Sequence, residues 1–175
     1  MEYKSFAFDL DTVAEDGRFS GYAATFGNVD RGGDLIVKGA FARSLARTRG
    51  GKVPILDHHH PDRQIGWNLE AREDAHGLLV QGQLDLNVQA ARERHSLMKL
   101  ARKVGAPSGL SIGFQTLDAE RDARHPGIRR LTQVDLLEYS LVTFPMNTRA
   151  QVTAVKSEQD LETALRRLHR FLRAF

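Results

Sequence analysis

The stretch Gly109-Leu110-Ser111-Ile112-Gly113-Phe114 sets one serine between two glycines, among apolar residues that alternate at strand period. A serine there is either an ordinary strand residue or a nucleophile held where a carbonyl can reach it. Two further segments bear on the choice. Upstream, Asp57-His58-His59-His60 follows the apolar run Val53-Pro54-Ile55-Leu56; downstream, Glu138 interrupts the apolar run Leu136-Leu137-Tyr139-Ser140-Leu141-Val142. A hydroxyl, an imidazole and a carboxylate on separate apolar segments are the components of a serine hydrolase.

Each component has alternatives. Gly109-Leu110-Ser111-Ile112-Gly113 matches G-x-S-x-G, and its glycines leave space for a substrate backbone. The nucleophile elbow of α/β-hydrolases needs a strand-to-helix turn after the serine. Here the strand pattern continues through Phe114 and Thr116, and the order is histidine, serine, acid. Both points argue against that elbow. Ser108 is the nearby competitor, but it follows Pro107 in a turn.

Among the histidines, neighbours on a strand point to opposite faces, so only His58 and His60 could share a metal ion. A third ligand would have to be Asp62, His76 or Asp85, and no H-E-x-x-H spacing is present. A bland reading makes them exposed residues at a strand end. The chemical reading makes His59 a general base, held rigid by the apolar run before it, with Gly66 letting the chain turn close by. A carboxylate such as Glu138 in an apolar strand must be paired or face water. Pairing with an imidazole satisfies it; an exposed alternate-face position is the other solution. Asp85 is the rival orienting acid, since it too lies in an apolar strand.

The elements that must position these groups are mostly strands. The spacing predicts strands over Lys4–Val13, Phe19–Phe26 (Gly21 marking a bulge) and Lys52–His58. Two more flank a hairpin at Glu73-Asp74-Ala75-His76-Gly77, and others carry Ser111 and Glu138. Turn residues crowd Gly27 to Asp34, and Asp118 to Gly127 reads as a charged loop. Helices are predicted over Phe41–Thr48, over Val88–Val104 with Leu97, Leu100/Ala101 and Val104 on one face, and over Asp160–Phe171. Gly105-Ala106-Pro107 ends the second helix, and Pro145 and Asn147 break the Glu138 strand. The expected architecture is one mostly β domain of α+β class, with a helix before the serine strand and another at the C-terminus.

The totals agree with such a domain: 175 residues, 41% apolar and 27% charged, with a net charge of +3. No apolar run approaches the roughly 20 residues that span a bilayer, so no membrane association is expected. Met1-Glu2-Tyr3-Lys4-Ser5 lacks the pattern of a secretory signal. The chain has no cysteine, which removes disulfides, thiolate metal sites and a cysteine nucleophile. Basic residues cluster at Arg92, Arg94, Lys99, Arg102 and Lys103, and again at Arg166, Arg167, Arg170 and Arg173. Without interleaved aromatics or a recognised motif these read as solvated helix faces rather than a nucleic-acid site. No cofactor or metal is expected.

Taken together, the segments resemble the prohead (procapsid) maturation proteases of tailed phages, whose fold is similar to the herpesvirus assemblins. The resemblance runs from Phe6 to Val155 and rests on ordered motifs. These are Gly21-Tyr22-Ala23-Ala24-Thr25-Phe26 with Asp30, Gly33-Asp34, Gly39-Ala40-Phe41, the His59 segment with Ile65-Gly66, and Gly77-Leu78. Leu110-Ser111-Ile112-Gly113-Phe114 and Glu138-Tyr139-Ser140-Leu141-Val142-Thr143-Phe144-Pro145-Met146-Asn147 complete the set. The resemblance implies an assemblin-like β-barrel with Ser111 as nucleophile. It selects His59 as base, since the family's histidine stands seven residues before the Ile-Gly glycine. It favours Glu138 over Asp85 as third member, because assemblins place that member on the strand after the serine. Backbone amides near Gly113 and the Arg149 side chain are candidate oxyanion donors.

The implied activity is a serine endopeptidase working by acyl transfer. Its implied substrates are the scaffolding segment of the major capsid protein and the protease itself. It would act inside the assembling procapsid, in the cytoplasm of the bacterial host. On this reading residues 1–155 form the protease domain. Residues 156–175 form an amphipathic basic helix, serving as a targeting or self-removed segment. The alternative is a shell or scaffold component with the same fold and no activity.

Overall fold

Apolar side chains at every second position leave one face of each strand in need of cover, and the chain supplies it by curling a sheet around its own core. The computed structural model describes residues 2–7, 16–123 and 125–144. The first five elements are β1 (Glu2–Ala7), β2 (Arg18–Thr25), β3 (Asp34–Ile36), α1 (Ala42–Arg47) and β4 (Pro54–Asp57). They are followed by β5 (Gln64–Glu73), β6 (Gly77–Leu84), α2 (Gln89–Lys103), β7 (Gly109–Arg121) and β8 (Arg129–Val142). Among the described residues eight strands form one sheet, in the order β1-β7-β8-β4-β5-β6-β2, with β3 also on β8. The end strands β1 and β2 approach each other without pairing, so the sheet curls into a half-barrel.

β8 is the strand on which the architecture turns. Along one edge it pairs antiparallel with β7, from Gly109↔Val142 to Arg121↔Arg129. Its other edge is shared by two parallel partners, β3 at its start and β4 at its end. The β3 junction is locked by a bidentate ion pair, Arg129 Nε to Asp34 Oδ1 at 2.9 Å and Nη2 to Oδ2 at 2.7 Å. α1 packs on β8 through Ser44, whose hydroxyl donates to Asp135 and accepts from the Leu136 amide.

Alternation gives β8 two distinct faces. Tyr139 points into the core, where it is fully buried against the edge of Phe19, with ring centroids 6.4 Å apart. Burial pushes the pKa of its hydroxyl well up. It therefore stays protonated and donates to Asn68 Oδ1 at 3.0 Å, while Asn68 Nδ2 donates to the Gly51 carbonyl. Gly82 makes room for this arrangement, since a Cβ there would lie 2.4 Å from the Phe19 ring and 2.6 Å from the Tyr139 hydroxyl. Glu138 and Ser140, one residue to either side of Tyr139, face the other way.

Several expectations are revised. β1 covers Glu2–Ala7, and the remainder of the expected first strand, Phe8–Val13, lies outside the described residues. The β2 irregularity falls between Tyr22 and Ala24 rather than at Gly21. β3 emerges from the turn-rich stretch, three residues being too few to show a period. The expected charged loop begins later, because β7 continues to Arg121 as an exposed ribbon paired with β8. On its β7 side the residues from Gln115 to Arg121 are half-buried or exposed, so they carry little apolar alternation. On α2 the packed stripe is Ala91, His95 and Met98, while Leu97, Leu100 and Val104 are 53%, 55% and 67% exposed. Both stripes have helical spacing, and spacing alone does not say which one meets the sheet. The exposed stripe lines a shallow groove of about 310 Å³ with Pro107, Leu141 and Val142. Pro145, Asn147, the linker at Lys156 and the helix expected over Asp160–Phe171 lie outside the described residues.

Replacing Tyr139 by Phe would leave Asn68 Oδ1 buried without its donor, at about 1–3 kcal/mol. Urea unfolding of Tyr139→Phe should show that loss; an unchanged midpoint would contradict the anchoring role.

Candidate active site

The site is assembled where β7 and β4 meet β8 from opposite sides. Antiparallel register sets Ser111 opposite Ser140 and Gly113 opposite Glu138, while parallel register sets Leu56 beside Ser140 and Asp57 beside Leu141. β4 ends at Asp57, and the histidines form a turn rather than the end of a strand. His58 and His59 both adopt left-handed backbone, with φ of 50° and 60°. Non-glycine residues take that conformation at a cost of order 1–3 kcal/mol and hold it only when their surroundings insist. Here they do. The His58 amide donates to the Leu141 carbonyl at 3.1 Å, and the His59 amide donates to Ser140 Oγ at 3.0 Å.

Held this way, the His59 ring bridges the other two sequence-predicted residues. Its Nε2 lies 2.5 Å from Ser111 Oγ, and its Nδ1 lies 2.6 Å from Glu138 Oε1. A carboxylate only accepts, so Nδ1 carries the proton. Nε2 is then the free lone pair that accepts from the serine hydroxyl. The His59 side chain is 15% exposed and that of Glu138 4%, while Ser111 is fully buried. Hydroxyl, base and acid are thus in contact, in the tautomer that proton removal from Ser111 requires.

Sequence reasoning placed the second glycine correctly but misread its purpose. A Cβ on Gly113 would lie 2.1 Å from Glu138 Oε1, so its lack of a side chain makes room for the carboxylate rather than for a substrate backbone. Gly113 also sits in the ladder on both sides, opposite Tyr3 and Glu138. Arg149, the other candidate oxyanion donor, lies outside the described residues. Asp85, the rival acid, is exposed and accepts from the Asn87 backbone and side chain in the turn before α2. As for a metal, no three His, Asp or Glu side chains converge among the described residues. The strand geometry behind that idea does not apply, because His58 and His59 lie in a turn.

A second set of contacts, not anticipated from sequence, braces the turn. Buried Asp57 accepts from His58 Nδ1 at 2.8 Å and pairs with Arg94 Nε at 2.7 Å. The Thr143 amide donates to His58 Nε2, so Nδ1 is the protonated nitrogen. Arg94 Nη2, 2.7 Å from that same Nδ1, is held there by its bond to the carboxylate. Arg94 stands beside Arg92 in the first half of α2, and nothing local in the chain reports a pairing across 37 residues. Burial raises the Asp57 carboxyl, and hydrogen bonds from His58 and Arg94 with the Arg94 charge more than reverse it, leaving the group below its ordinary 3.8.

A carboxyl depressed on folding stabilises the native state above its ordinary pKa, and that contribution is lost as pH falls through the folded value. Arg94→Gln should therefore cost about 1.5–3 kcal/mol at neutral pH. The gap from the parent should begin to narrow below pH 3.8 and close only as pH falls through the lower folded value, where Asp57 becomes neutral in both proteins. Urea unfolding across pH tests this; a gap independent of pH would contradict the pairing.

The family model described as caudovirus prohead serine protease matches residues 6–165. The chain is 32% identical over 166 residues to the prohead protease of Enterobacteria phage HK97, covering 91% of this chain and 72% of that one. It is 30% identical over 151 residues to the prohead protease of Escherichia phage T5, covering 85% and 68%. Its fold is similar to the solved bacteriophage T4 capsid assembly protease, with a TM-score of 0.58 at 11% identity, over 82% of this chain and 97% of that one. On the family model and these identities together, the chain belongs to the caudovirus prohead serine proteases.

Proposed function

We propose that this chain is a serine endopeptidase of procapsid maturation in which Ser111 is the nucleophile, His59 the general base and Glu138 the orienting acid. One observation carries the reading: the continuous hydrogen-bonded path from Ser111 Oγ through both nitrogens of His59 to Glu138. Nε2 takes the hydroxyl proton as Ser111 Oγ bonds to the peptide carbonyl carbon. The resulting imidazolium rests against the Glu138 carboxylate and returns its proton to the leaving amine. Water, deprotonated by the same nitrogen, then attacks the acyl-enzyme and regenerates the serine. Since Ser111 is fully buried in this conformation, the substrate carbonyl reaches it only after local opening.

The substrates are the scaffolding segment of the major capsid protein and the chain itself, cut inside the assembling shell in the cytoplasm of the bacterial host. The names of the HK97 and T4 relatives support the setting. Residues 1–155 are the catalytic domain, with a barrel of assemblin type that the mostly β, curled sheet supports. Residues 156–175 are a targeting or self-removed segment. An inactive shell component is the less favoured reading, because it has no use for a buried serine, imidazole and carboxylate kept in mutual contact.

Mass spectrometry of the capsid protein after co-expression tests the reading. Ser111→Ala should abolish cleavage while leaving the thermal midpoint in place; cleavage by that variant at the parent rate would sink the proposal. Glu138→Gln should slow turnover by about 10⁴, by the scale of triad acids, and Asp85→Asn should leave it near the parent rate. The reverse ranking would transfer the role to Asp85.

A further inference from the structure

One buried hydroxyl touches both the acid and the base without touching the nucleophile's proton. Ser140 is fully buried on β8, two residues from Glu138 and therefore on the same face of the strand. Its Oγ lies 2.7 Å from Glu138 Oε2 and 3.0 Å from the His59 amide nitrogen. The directions of these bonds are forced. An amide N–H only donates and a carboxylate only accepts, so the single Ser140 proton goes to Glu138 and a lone pair receives the His59 N–H.

The two bonds act on different parts of the assembly. Glu138 divides its oxygens, Oε1 to the His59 ring and Oε2 to Ser140. The carboxylate occupies the space across from Gly113 on the neighbouring strand, where a Cβ would lie 2.1 Å from Oε1. The bond from the His59 amide meanwhile holds a backbone at φ 60°, which this residue would not otherwise favour. A rotation of either group would move Nε2 away from Ser111, and misplacement by about 1 Å can cost on the order of 10² in rate.

We infer that Ser140 is a positioning residue of the protease, fixing the Glu138 carboxylate and the His59 backbone through one hydroxyl. The inference rests on the proposed roles of Ser111, His59 and Glu138, and extends them by a fourth side chain that takes no part in bond making. Its removal frees both groups at once, so it lowers turnover by misplacing the base and leaves substrate binding in place.

The test is kcat and KM for cleavage by Ser140→Ala and Ser140→Cys in the full chain, on a peptide spanning the capsid-protein cleavage point, with Glu138→Gln measured alongside. Ser140→Ala should lower kcat by about 10- to 100-fold and leave KM in place. Ser140→Cys, whose thiol is a weaker donor in the same place, should fall between Ser140→Ala and the parent. It carries the same readout if the alanine variant does not fold. Unchanged kcat in either folded variant would overturn the inference, as would a loss carried by KM or a cysteine variant no better than the alanine one, which marks a merely structural role. A Glu138→Gln variant with parent activity would overturn the underlying assignment instead, so the two failures are distinguishable.

Discussion

Glu138 is a carboxylate placed beneath a sheet, and both of its oxygens have partners: His59 Nδ1 on Oε1 and Ser140 Oγ on Oε2. A charge taken out of water is tolerated only where its hydrogen-bonding capacity is met by the protein. That requirement organises what surrounds it. It places a glycine, Gly113, directly across on β7, since any side chain there would overlap the carboxylate. It also brings the histidine turn against β8, which is possible because β4 pairs parallel to β8 and ends beside Leu141.

The two faces of β8 divide the work. Tyr139 drives into the core and is held by Asn68 and Phe19, which fixes the height and rotation of the strand. Glu138 and Ser140, pointing the other way, inherit that rigidity. The histidine turn has less intrinsic order, because two consecutive residues take left-handed backbone. Its stability is supplied from outside: by β8 amide and carbonyl contacts, by the Thr143 bond to His58, and by the Asp57–Arg94 pair. In the mechanism proposed for His59, a base held by such a frame has little rearrangement left for the moment of reaction.

Much of this was legible in the chain. Strand periodicity located Ser111 and Glu138, and the ordered motifs selected His59 from three adjacent histidines. What could not be read were features that depend on pairing across the sheet. Gly113 looked like open space beside a nucleophile until its partner on β8 was known to be Glu138. The exposed stripe of α2, Leu97, Leu100 and Val104, has the same spacing as the buried one, so spacing could not say which face meets the sheet. Charged residues at Asp118 to Arg121 suggested a loop because the outer half of β7 is mostly exposed and lacks the apolar alternation that would betray a strand. Ser140 stood in full view, two residues from the acid, but a serine in a strand says nothing until both of its hydrogen bonds are seen.

The central claim is that Ser111 is a nucleophile activated by His59. Covalent labelling with a fluorophosphonate, applied to the protease co-assembled with capsid protein and read by peptide mass spectrometry, addresses it directly. The account predicts a single phosphonyl adduct on the peptide containing Ser111, absent from a His59→Ala variant. An adduct on another serine, or equal labelling of Ser111 when His59 is removed, would contradict it.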